Sequence, residues 1–138
     1  METTNAERLK VAAAMHAGIV ACSGDTPLRA VAALMAEHQI HAVVVFDYGD
    51  EADEDRELFA IVTDRDVADA IGRAQLDERT AADSAGHPVL AVRADEDLVH
   101  AAQLLAEHGT SHLVVTDART SRPVGILSTL DLARLAST

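Results

Sequence analysis

Apolar and polar positions along the chain alternate between two periods, and the alternation occurs twice. "GIVAC" (18–22) and "PVLAV" (88–92) are short apolar runs of strand length. Each is followed by an aspartate, Asp25 or Asp95, at an expected helix N-cap, where a carboxylate accepts from otherwise unpaired amides. Leu28, Val31 and Met35, and then Leu98 and Leu105, recur at helical spacing and predict helices over about 26–38 and 96–108. Gly109 suits a left-handed stop after the second helix, and Gln39 holds the same place after the first. Paired β-branched runs follow: "HAVVVF" (41–46) with "LFAIV" (58–62), and "SHLVVT" (111–116) with "VGIL" (124–127). Short helices then start near 66 and 131. The unit is β-α-β-β-α, written twice, and its fold class is mixed α/β (α+β).

The two copies are related by sequence as well as by pattern. Residues 25–47 align with 95–117 at an offset of 70, with ten of 23 pairs identical, including Ala36-Glu37-His38 with Ala106-Glu107-His108. In the strand–turn stretch the offset is 65, pairing Ile61 with Ile126, Thr63 with Ser128 and Asp66 with Asp131. The difference is an insertion in "YGDEADEDREL", an acidic surface loop without the regular ligand spacing of a cation site. The runs Val43-Val44-Val45 and Leu113-Val114-Val115 predict strands buried on both faces. A half of this size buries too little apolar surface to stand alone, so the copies are expected to pack about a pseudo-two-fold axis. The expected domains are 1–73 and 80–138, joined by a linker at 74–79.

Composition narrows the function classes. Apolar residues make up 49% of the 138 and aromatics only 2%, so the core is aliphatic and base-stacking platforms are lacking. With 23 acids against 11 bases the formal net charge is −12, which repels nucleic acid and anionic membranes. Cys22 is the only cysteine, which excludes an internal disulfide and a cysteine-based zinc knuckle; it reads as an inert core thiol. "METTNAERLK" does not read as a signal peptide, and no run approaches the length of a membrane span, so a cytoplasmic protein is expected. His38/His41 and His108/His112 straddle a helix end and a strand, so helical metal-ligand spacing does not apply and no metal site is expected. Neither a nucleophile turn nor a pair of carboxylates in an apolar pocket is evident, so no catalytic residue is expected.

The repeated turn carries the chemistry. A hydroxyl one residue past an apolar strand, with a carboxylate three residues later, is first a helix-capping arrangement. The same groups suit a nucleotide, because a carboxylate accepts two hydrogen bonds from a diol while free helix amides and a hydroxyl favour phosphate. Both readings stand on the spacing alone.

The duplicated β-α-β-β-α unit and its two matched turns resemble a pair of CBS domains, the regulatory module named after cystathionine β-synthase. The resemblance runs from about Leu9 to the C-terminus. "GILSTLD" meets the family's Gly–apolar–apolar–Thr/Ser–x–x–Asp turn with Gly125, Ser128 and Asp131; "AIVTDRD" meets it with Thr63 and Asp66 but has Ala60 for the glycine. The resemblance implies an adenosine ligand (AMP, ADP, ATP or S-adenosylmethionine) in clefts between the copies, with no cofactor required. It implies that Asp66 and Asp131 hold ribose hydroxyls and that Thr63, Ser128, Arg65, His41, Ser111 and His112 lie toward the phosphate end. Val20, Ala21, Val44, Leu90, Ala91 and Val114 are then the adenine walls. Arg65 is matched by Leu130, so the two sites are expected to differ. The family's frequent second-strand proline is replaced by Val44 and Val114, and a frequent arginine by Ala42. The high acid content favours a single-phosphate or neutral-chain ligand over ATP. The resemblance further implies a homodimer, a separate regulated protein and no catalysis. The alternative is a structural or protein-interaction CBS pair that binds no nucleotide.

Overall fold

The computed structural model describes residues 8–46, 60–85 and 90–137. In chain order the elements are α1 (Val11–Ala14), β1 (His16–Ala17), β2 (Ala21–Ser23), α2 (Leu28–His38), β3 (Ala42–Phe46), β4 (Ala60–Thr63) and α3 (Asp64–Gly72). A 3₁₀ turn (Leu76–Glu78) leads to α4 (Ala81–Ser84), β5 (Ala91–Arg93), α5 (Leu98–His108), β6 (His112–Thr116), β7 (Pro123–Ser128) and α6 (Thr129–Ala136). The mixed α/β class and the repeated β-α-β-β-α order are as expected. The acidic insertion and the starts of the "LFAIV" and "PVLAV" runs lie outside the described residues.

The chain forms two compact units. The first is Val20–Val89; the second joins Met1–Ile19 to Leu90–Thr138. These units cut the chain differently from the repeat bounds 1–73, 74–79 and 80–138, because the segment before each copy packs with the other copy. In the second unit, Val11 N–H donates to Glu96 O (2.9 Å) and Ala12 N–H to Ala94 O (3.0 Å). In the first, Ala81 N–H donates to Thr26 O (2.8 Å) and Ala82 N–H to Gly24 O (2.9 Å). The two sets superimpose at the offset of 70, so α1 and α4 are equivalent parts in exchanged places.

In the first unit the strand order is β2-β3-β4, with β2 parallel and β4 antiparallel to β3. In the second it is β1-β7-β6-β5, again with one parallel pair (β5·β6). Leu28, Val31 and Met35 of α2 bury against Val43, Val45 and Val62; Leu98, Ala101 and Leu105 of α5 bury against Leu113, Val115 and Leu127. Val44 and Val114, on the opposite sheet face, are also fully buried, so the central strands are covered on both sides, as the unbroken apolar runs predict. Each fully buried Val or Leu contributes roughly 1.5–3 kcal/mol relative to exposure.

Asp25 and Asp95 are not N-caps. α2 starts after Pro27 and α5 after Asp97, and neither cap residue's side chain accepts from a helix amide; Asp97 instead accepts from Lys10 Nζ at 2.6 Å. The first helical amides are met by backbone from the exchanged segments: Leu28 N–H donates to Arg79 O and Leu98 N–H to Leu9 O, both at 2.9 Å. With those donors satisfied, Asp25 accepts from Ser23 Oγ and Asp95 pairs with Arg93 at 2.9 Å. Both helices end on left-handed residues, Gln39 (φ 53°) and Gly109 (φ 58°), as the repeat predicts.

Candidate functional site

The register of each sheet assembles the candidate residues. In the first unit Ala42 pairs with Thr63, and two residues further along Ala21, Val44 and Ile61 lie side by side. In the second, His112 pairs with Ser128, and Ala91, Val114 and Ile126 form the corresponding row. Side chains two apart on a strand share a face, so each hydroxyl and each adenine-wall row lie on the same face, about 7 Å apart. His41 O accepts from Asp64 N–H, and Ser111 O from Thr129 N–H, both at 3.0 Å. The helix start is thereby tied to the head of the central strand in both units.

Of the wall candidates, Ala91 is exposed and Val20, Ala21 and Leu90 are half-buried. Val44 and Val114 expose no surface. Of the six, the residues with exposed surface lie on the parallel edge strands β2 and β5 or just before them.

Both turns close capping boxes. Thr63 N–H (2.8 Å) and Thr63 Oγ1 (3.3 Å) donate to Asp66 Oδ2. Ser128 N–H (2.8 Å) and Ser128 Oγ (2.9 Å) donate to Asp131 Oδ2, and Asp131 N–H returns to Ser128 Oγ at 3.2 Å. The capping chemistry thus consumes one oxygen of each carboxylate and leaves the other to be used elsewhere. Thr80 and Asp83 close a third box ahead of α4, with bonds of 2.9 and 3.3 Å. That pair stands outside the repeat register, so a Thr/Ser-x-x-Asp spacing also serves in this chain as a plain helix start.

The second oxygens differ. Asp66 Oδ1 has no hydrogen-bond or ion-pair partner among the described residues, and Asp66 is half-buried. Asp131 Oδ1 lies 2.6 Å from His16 Nε2, and the Asp131 side chain is 5% exposed. Pattern reading missed His16. Its signal lay in the repeat, where the offset of 70 sets Gly86 opposite it.

The surrounding charge differs too. α3 carries two acids in its first turn, Asp64 and Asp66, whereas α6 carries only Asp131. His41 Nδ1 sits 3.2 Å from Asp64 Oδ2, with both side chains more than half exposed. Arg65 is exposed, and the exposed Leu130 takes its place in the second unit. Ser111 Oγ lies 2.8 Å from His112 Nδ1, both half-buried. No group of three or more His, Cys, Asp or Glu among the described residues is placed to hold a metal ion. No helix among them is long and apolar enough to cross a membrane.

A duplicated β-α-β-β-α chain with matched hydroxyl–carboxylate helix starts defines a class, and the sequence comparison agrees with it. The CBS domain profile matches residues 11–73 and 85–138, and the chain belongs to the CBS domain family. No curated protein sequence matches the chain. The structure is similar to the CBS domain pair of protein MJ0100 in complex with 5′-methylthioadenosine and S-adenosyl-L-methionine (TM-score 0.77, 20% identity, covering 94% of this chain and 96% of that one). It is similar to a CBS domain protein from Pyrobaculum aerophilum complexed with AMP (TM-score 0.73, 22% identity, 94% and 100% covered). It is also similar to Hypoxic Response Protein I with two coordinated zinc ions (TM-score 0.68, 28% identity, 91% and 98% covered).

Proposed function

We propose that this protein is a regulatory module that binds an adenosine-containing ligand and signals its presence to a separate protein. The observation that carries the reading is Asp66. Its carboxylate is held by Thr63 through Oδ2 and keeps Oδ1 without a partner among the described residues, next to a Thr63 whose register puts it on the sheet face of Ala21. An oriented carboxylate oxygen of this kind suits a ribose hydroxyl, and a charge-assisted hydrogen bond to it is roughly twice as strong as a neutral one. The AMP, S-adenosylmethionine and methylthioadenosine bound by the similar structures support the same class of ligand.

The ligand carries one phosphate or an uncharged chain beyond its ribose. Asp64 stands two residues from Asp66 at the start of α3, and the chain's net charge of −12 opposes a polyphosphate. Binding, without catalysis, is the activity, and a cytoplasmic homodimer is its setting. A ligand of this kind acts as a signal only through its differential affinity for two states of the protein.

The structural alternative has its own observation, since the three Thr/Ser-x-x-Asp turns at Thr63, Thr80 and Ser128 all close capping boxes from the chain's own groups. A thermal-shift and calorimetric screen against AMP, ADP, ATP, S-adenosylmethionine and NADH separates the two. A ligand at about 100 times its dissociation constant adds roughly 2.7 kcal/mol of stability. A shift with AMP or S-adenosylmethionine that Asp66→Ala removes supports the sensor. No shift at millimolar ligand makes the bare interaction module the better reading.

A further inference from the structure

The two ribose carboxylates are not equivalent, and the difference comes from outside the repeat. β1 is two residues long, lies at the edge of the second unit's sheet and is exposed at both positions. It pairs antiparallel with β7 in the register His16 with Ile126 and Ala17 with Gly125. That register puts His16 in the row of Ile126, Val114 and Ala91, on the face that carries Ser128. From there His16 Nε2 reaches Asp131 Oδ1 at 2.6 Å.

With Oδ2 taken twice by Ser128 and Oδ1 by His16, Asp131 retains at most one of its four lone-pair positions. A ribose diol needs two. We propose that His16 is a built-in competitor for the ribose carboxylate of the second unit, so that Asp66 forms the primary nucleoside site and Asp131 a gated one. This rests on the reading of both acids as ribose acceptors.

The gate is movable. The His16 side chain is 66% exposed, and among the described residues β1 is held by two residue pairs to β7 and by Gly18 N–H to Val124 O at 2.7 Å. A ligand entering at Asp131 replaces one hydrogen-bond donor by another and lifts a two-residue edge strand, while a ligand at Asp66 displaces no described side chain. Occupancy of the gated site therefore reports a higher ligand concentration than occupancy of the open one.

The test is calorimetric titration of AMP into the full chain and into His16→Ala, Asp66→Ala and His16→Ala/Asp66→Ala. Because His16 is exposed, its replacement is not expected to unfold the chain, and circular dichroism checks this. The wild type should bind one AMP tightly and lose that binding in Asp66→Ala. His16→Ala should bind two, the second about two- to fivefold tighter than the second event in the wild type, as the loss of one exposed competing pair allows. The double variant should keep that second site. A His16→Ala titration that overlays the wild type overturns the gating and leaves the nucleotide reading standing. Absence of binding in all four proteins, with AMP and with S-adenosylmethionine, overturns the nucleotide reading and the gating together.

Discussion

Replacing Asp131 by alanine should destabilise the fold, and by more than the matching change at Asp66. Asp131 is 7% exposed and its carboxylate serves three donors: Ser128 N–H at 2.8 Å, Ser128 Oγ at 2.9 Å and His16 Nε2 at 2.6 Å. Loss of an N-terminal capping partner costs about 0.5–2 kcal/mol. The contact with His16 adds about 0.2–1 kcal/mol, kept at the low end because the imidazole is largely solvated. The sum is about 1–3 kcal/mol. Asp66 has one bond of 2.8 Å, a weaker one of 3.3 Å and no third partner among the described residues, so Asp66→Ala should cost about 0.5–2 kcal/mol. Urea unfolding of ligand-free protein, followed by circular dichroism, gives both values. A double-mutant cycle of His16→Ala with Asp131→Ala isolates the contact between them. Asp83→Ala opens the third box, far from the repeat register, and should lower stability without altering ligand affinity. The reasoning fails if Asp131→Ala is no more damaging than Asp66→Ala, or if the cycle returns a coupling of zero.

Three further outcomes follow from the geometry. A Cβ at Gly125 would stand 2.5 Å from His16 O and 2.8 Å from Met15 Sδ, so Gly125→Ala must push β1 from β7 and should cost about 1–3 kcal/mol in chemical denaturation, whereas Gly72→Ala, with nothing within 4 Å, should not. Gln39→Gly should stabilise by roughly 0.5–1 kcal/mol by relieving a left-handed backbone, and Gly109→Gln should lose a similar amount, read as opposite shifts of the urea midpoint. Asp69 is held below the usual carboxylate range by Arg73 and Arg79, Asp77 by Arg29, Asp83 by the Thr80 amide, Asp95 by Arg93 and Asp117 by the Arg119 and Thr120 amides. Groups whose folded value is lowered contribute stability that is present above the unfolded value of about 3.9 and is lost as pH falls through the folded value. Urea midpoints should therefore be level above about pH 5 and fall below it, and a midpoint that rises on acidification refutes the assignment.

The elements that depend on neighbours in sequence are legible in the sequence itself. α2 and α5 follow from Leu28, Val31, Met35 and from Leu98 and Leu105 at helical spacing, and β3 and β6 from unbroken apolar runs. The helix starts at Thr63 and Ser128 follow because a capping box closes within four residues. What the pattern could not supply is contact across long separations. Nothing in "VAAAMHA" indicates that Val11 donates to Glu96 or that His16 lies beside Ile126, because each short segment fits either copy equally well by local propensity. Nor does a helix pattern reveal that Asp25 and Asp95 are idle as caps, since the carbonyls of Arg79 and Leu9 reach the first amides from far along the chain. Gly125 reads in sequence as a turn motif, yet its reason is the backbone of His16 against its Cα. Sequence by itself determined the duplicated unit and the pair of acids at its helix starts, which are short-range properties. Only the tertiary structure decided which of those acids is held by a histidine and which has no such partner among the described residues, because that depends on where an edge strand of two residues comes to rest.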